Sequence, residues 1–116
     1  MNRAFGMVTF QAFALLFTAF AMTIVADEVR GAPPSPTVHI GNFTFNQAAI
    51  AVHPGTTVTW VNDDDIPHTI VATGGAFRSK VLDTGDRFSF TFAKAGQFDY
   101  FCSLHPHMTG RVIVKV

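Results

Sequence analysis

A chain of 116 residues holds one domain and an appendage. Eight basic and eight acidic side chains leave no formal net charge, which excludes bulk attraction to nucleic acid or anionic lipid. Its single cysteine excludes an internal disulfide and leaves that residue three roles: buried packing, a free thiol, or a metal ligand.

The apolar content is concentrated at the start. Residues 1–26 carry one charge, Arg3, ahead of a run holding Phe5, Phe10, Phe13, Leu15, Leu16, Phe17 and Phe20. A basic start, an apolar middle and a small residue at the end predict a secretory signal that ends at Ala26. Ala19-Phe20-Ala21 offers another cleavage point. The run is also long enough to span a bilayer as an uncleaved anchor. Thr9, Gln11, Thr18 and Thr23 dilute it, so cleaved export is the reading adopted. A periplasmic protein is expected, with a membrane-anchored one on the periplasmic side as the alternative. Removal of residues 1–26 takes Arg3 away and leaves seven basic against eight acidic residues, a charge near −1.

Residues 27–36 contain Gly31, Pro33, Pro34 and Pro36, which exclude a helix and predict an extended linker. From Thr37 the chain reads as strand. Val38, Ile40, Phe43 and Phe45 flank a Gly41-Asn42 break. Ala49 to Val52 is a short apolar run closed by the turn signal His53-Pro54-Gly55. Thr56 to Asn62 alternates, with Val58 and Trp60 on one face. Thr69 to Ala72 is short and β-branched. Gly74 and Gly75 open an irregular stretch that lasts to about Asp86. Phe88, Phe90 and Phe92 share one face of the next strand, and Phe98, Tyr100 and Cys102 share one face of the strand after it. Arg111 to Val116 closes the chain. No helical period follows Ala26. About seven short strands punctuated by turns predict an all-β domain over 37–116, a Greek-key β-sandwich. Its core is small, and eight phenylalanines after Ala26 compensate.

The chemistry gathers in Cys102-Ser103-Leu104-His105-Pro106-His107-Met108, where a thiol, an imidazole and a thioether recur at three-residue spacing. A second imidazole is available at His68, in Asp63-Asp64-Asp65-Ile66-Pro67-His68-Thr69. Two His, one Cys and a weak axial Met make the ligand set of a blue-copper electron-transfer site. Each residue also has a plainer reading. Cys102 could be core packing beside Phe98 and Tyr100, His105 a surface residue, and Met108 a gap-filler. His107 is read as surface, with replacement of Met108 as a ligand its alternative. The three aspartates read as a solvated turn, and His39 and His53 carry no assigned role. Pro67 and Pro106 stiffen the backbone beside both histidines, which favours a preset site.

These motifs resemble the cupredoxins, and among them the amicyanins. Trp60-Val61-Asn62 with Pro67-His68, Ala95 to Cys102, and the Cys-x-x-His-Pro-x-Met-x-Gly pattern of Cys102 to Gly110 carry the resemblance. It implies one copper ion held by His68, Cys102, His105 and Met108. It implies that Asn62 links the two ligand loops, and that an apolar patch, here Leu104, His105, Pro106 and Pro54, passes the electron. The expected function is shuttling of single electrons by Cu(I)/Cu(II) cycling between transient redox partners, such as a c-type cytochrome or a dehydrogenase, by a monomer. The alternative is a copper-binding or tolerance protein without that role. Enzymatic activity is not expected: the chain shows one domain, no His-x-His in a strand, no paired carboxylates and no Ser-His-Asp order.

Overall fold

The computed structural model describes residues 35–116, with Gly6 alone before them. The signal expected over 1–26, and all but Ser35 and Pro36 of the linker expected over 27–36, lie outside the described residues. Within these residues the fold is all-β, with no helix. Eight strands form two sheets. One contains β1 (Thr37–Gly41), β2 (Thr44–Phe45), β4 (Thr56–Asn62) and β6 (Arg87–Phe92) in the order β2-β1-β4-β6. The other contains β3 (Ala49–Val52), β5 (Val71–Ala72), β7 (Gly96–Cys102) and β8 (His105–Val114) in the order β3-β8-β7-β5. Each sheet has one parallel pair, β1 with β4 and β3 with β8, among antiparallel ones.

Alternation along the strands decides which side chains meet between the sheets. Val58 and Trp60 of β4 and Tyr100 and Cys102 of β7 are all buried. Trp60 is the hub. Tyr100 stands edge-on to it at 5.3 Å between ring centroids, and Phe77 and Phe88 lie tilted at 5.7 and 5.8 Å. Phe45 and Phe92 close the core at 1% exposure each, and burial of each is worth on the order of 2–3 kcal/mol.

The expected strands are present, with two revisions. The strand predicted over Thr69 to Ala72 shortens to Val71–Ala72. Here the Ile70 N–H donates to the Ser79 Oγ at 2.9 Å, so a side chain takes what a ladder carbonyl would accept. His68 forms an isolated bridge with Leu82 instead of opening a strand. The loop predicted from Cys102 to Met108 contracts to a turn at Ser103 and Leu104. Strand β8 already begins at His105, because the antiparallel ladder with β7 continues through a bulge at Phe101/Cys102 until Cys102 faces His105. This irregularity accommodates Pro106, which cannot donate to a ladder. It also places His105-Pro106-His107 in a strand, contrary to the expectation that no His-x-His would lie in one.

The registers fix the polarity of the sandwich. Strands β4 and β7 end, and β6 and β8 begin, at one pole. The His53-Pro54-Gly55 turn lies at the other, where the Gly55 N–H donates to the Phe92 carbonyl.

Candidate metal centre

Cys102 occupies the last position of β7 and is fully buried. Its Sγ lies 3.7 Å from the His68 Nδ1 and 3.6 Å from the His105 Nδ1. The three ligand-type atoms lie within 4.8 Å of one another, a spread that one ion can bridge. His68 is fully buried and His105 half-buried. Met108, three residues along β8, is 6% exposed and lines a recess with Phe43, Leu104, His105, Pro106 and His107. His107 is exposed, as expected of a surface residue.

The thiol is prepared for a metal. Burial pushes its pKa up, but donation from the Thr69 backbone N–H and hydrogen-bonding contacts with the His68 and His105 side chains outweigh this and hold it down to about 6. Thiolate is the form that binds a soft metal. The Thr69 N–H donates to the sulfur at 3.4 Å. The Thr69 Oγ1 accepts the Ser103 N–H at 2.8 Å and shares a proton with the Ser103 Oγ at 2.7 Å. Thr69 thus joins the segment carrying His68 to the turn carrying Cys102.

That joining role was expected of Asn62, and its bonds run elsewhere. The Asn62 Nδ2 donates to the carbonyls of Ile66 and Leu82, both at 2.9 Å, and its Oδ1 accepts the Asp64 N–H at 2.9 Å. Asn62 therefore braces the aspartate loop against the segment at Leu82. The link to the cysteine turn is made by the Thr69 hydroxyl instead.

Two further residues belong to the site. The Asp64 Oδ2 accepts the His68 Nε2–H at 2.9 Å. The same atom accepts the Phe43 N–H at 3.0 Å. Those bonds, the one from Phe43 foremost, hold the Asp64 carboxyl below its usual range. Only one of the three aspartates is thus a plain turn residue; Asp63 pairs with His39 across 2.6 Å. Phe43 has the unusual φ of +56°, directly after Asn42 at +50°, a conformation costing a bulky residue on the order of 1–3 kcal/mol. Its ring stands edge-on to His105 at 5.0 Å and to His68 at 6.0 Å. Phe43 also corrects the expected apolar patch. Pro54 is at the opposite pole, and Phe43, 52% exposed, completes the patch of Leu104, His105 and Pro106. Only the Gly41-Asn42 break hinted at this, since asparagine tolerates left-handed backbone.

A two-sheet sandwich bearing a His-Cys-His cluster at one pole, with a depressed thiol, defines a copper protein of the cupredoxin class. Residues 34–115 match the family model for copper binding proteins of the plastocyanin/azurin family. Amicyanin of Paracoccus versutus is 38% identical over 89 residues, covering 71% of this chain and 67% of that protein. Amicyanin-alpha of Methylorubrum extorquens is 30% identical over 115 residues, covering 90% and 97%. The Cu(I) form of an amicyanin mutant superposes with a TM-score of 0.68 at 30% identity, over 74% of this chain and 87% of that one. The chain belongs to the plastocyanin/azurin family of copper binding proteins, and within it is amicyanin-like. Its cofactor is a single copper ion, which the donor set of two imidazoles and a ready thiolate fits.

Proposed function

We propose that the chain is an exported type 1 (blue) copper protein that shuttles single electrons between redox partners. His68, Cys102 and His105 would hold the metal, with Met108 as a weak fourth donor. The observation that carries this reading is the meeting of two Nδ1 atoms, 3.6 and 3.7 Å from a thiol held down to about 6. Bound there, copper supplies a one-electron Cu(I)/Cu(II) couple.

The chain's own residues do the rest. Cys102 and His68 are shut from water; Cys102, His105 and Met108 are fixed by the paired strands β7 and β8, and His68 by its bridge to Leu82. Fixed ligands keep the rearrangement between oxidation states small. The half-buried His105 edge emerges among Phe43, Leu104 and Pro106, and the electron leaves by that route. So small an apolar face suits weak, brief docking with a c-type cytochrome or a dehydrogenase. The protein acts as a monomeric carrier rather than an enzyme. The apolar run at residues 1–26 is its export signal, residues 27–36 its linker and 37–116 its copper domain; the intact mass of the protein isolated from its host checks the cleavage.

Oxidised, copper-loaded protein is expected to show the intense visible absorption of a Cu(II)–thiolate bond, and C102A to lose it together with tight copper binding. A colourless copper complex of the unmodified protein would refute electron transfer and leave the copper-tolerance reading.

A further inference from the structure

We propose that Asp64 is a positioning residue of the copper site: one carboxylate oxygen fixes the proton of His68 and also holds Phe43 as a cap over both histidine rings. The inference rests on the reading of His68 and His105 as copper ligands. The Asp64 Oδ2 accepts from the His68 Nε2 at 2.9 Å and from the Phe43 N–H at 3.0 Å. An ionised carboxylate only accepts, so the Nε2 must carry the imidazole proton. The Nδ1, facing the Cys102 sulfur, is then left with its lone pair for the metal.

The other half concerns Phe43. Two successive left-handed residues, the second bulky and half-exposed, persist only where the surroundings impose them. The bond from its N–H to Asp64 is one constraint, and the edge-on contacts with His105 and His68 are the others. Asp64 is itself held at both ends of its backbone. Its N–H donates to the Asn62 Oδ1 at 2.9 Å, and its carbonyl accepts from the Thr84 Oγ1 at 2.6 Å. Its side chain is 13% exposed, so its charge is weakly screened. A negative charge one imidazole away favours the more highly charged oxidation state of the metal and lowers the potential. The cap restricts access of small ligands to the site.

Two substitutions separate the effects. D64N can place an amide oxygen where the Oδ2 lies and keep both acceptances while losing the charge; D64A loses everything. In copper-free protein, imidazole nitrogen shifts are expected to report the Nε2–H tautomer of His68 in the unmodified chain and in D64N, and a mixture in D64A. The Phe43 amide is expected to exchange faster in D64A alone. In copper-loaded protein the reduction potential rises in D64N, and azide perturbs the visible spectrum of D64A but not of the unmodified chain. An unchanged potential in D64N, or an unchanged His68 tautomer and Phe43 amide in D64A, overturns the proposal. If D64A does not fold, F43A decides the cap: azide access supports it and a closed site overturns it. The copper-free measurements stand whatever the colour of the loaded protein, so a failure here is distinct from a failure of the copper reading.

Discussion

Cys102 has two opposed influences on one sulfur. Burial alone would raise its pKa above the ordinary value of 9.0, yet the Thr69 N–H and hydrogen-bonding contacts with His68 and His105 bring it to about 6. The thiolate's contribution to the stability of the metal-free protein is therefore complete above pH 9.0 and is lost as pH falls through about 6. Ultraviolet titration of the thiolate in copper-free protein should show a midpoint near 6, and a midpoint near 9 would mean that these contacts do not act. At this scale the meeting of Cys102 with His68 and His105 was legible in the sequence, because their chemistry and spacing are rare together. Asp64, Thr69 and Phe43 were not. Phe43 and Thr69 act across 21 and 34 residues, and the run of three aspartates does not itself say which one reaches His68.

Strand β8 connects the site to the sandwich. It starts at a proposed ligand, pairs with β7 on one side and β3 on the other, and ends at Val114 in the core. The glycine that closes the Cys-x-x-His-Pro-x-Met-x-Gly pattern has a packing reason. Gly110 pairs with Tyr100, and a Cβ there would lie 2.2 Å from the Tyr100 ring, which has no room to retreat from Trp60 and Phe45. G110A should destabilise the fold by about 1–3 kcal/mol, as overpacking does, measured by denaturant unfolding of the copper-free protein. A loss within error would show that the ring can move. Long alternating strands were legible: Phe88, Phe90 and Phe92 repeat every second residue in β6, and Phe98, Tyr100 and Cys102 do so in β7. The two-residue strands β2 and β5 are too short to carry a period. The start of β8 was hidden by Pro106, which reads as loop until a bulge makes room for it.

The molecule as a whole is more polar than its balanced charge suggests. Asp63, Asp64, Asp65, Asp83 and Asp86 gather at the metal pole, joined by the bond from the Thr84 hydroxyl to the Asp64 carbonyl and from the Asn62 N–H to the Asp86 carbonyl. Arg87 and Lys80, which sits between the partners of Ile70 and His68, offset part of this charge, while Lys94 and Lys115 lie at the opposite pole. A cationic redox complex should therefore exchange electrons with the loaded protein faster than an anionic complex of equal driving force. The gap should close as salt shortens the screening length to about 3 Å near 1 M. Equal rates at low salt would mean that the aspartates do not govern approach. Finally, the parallel pairing of β3 with β8 joins Val52 to Val114, and the Cys102 sulfur meets an imidazole, His68, from a segment 34 residues away. Such remote partners meet late and slowly during folding, on the order of milliseconds to seconds. The full donor set exists only once the His68 segment has met the β7–β8 turn, so complete coordination is a property of the folded sandwich.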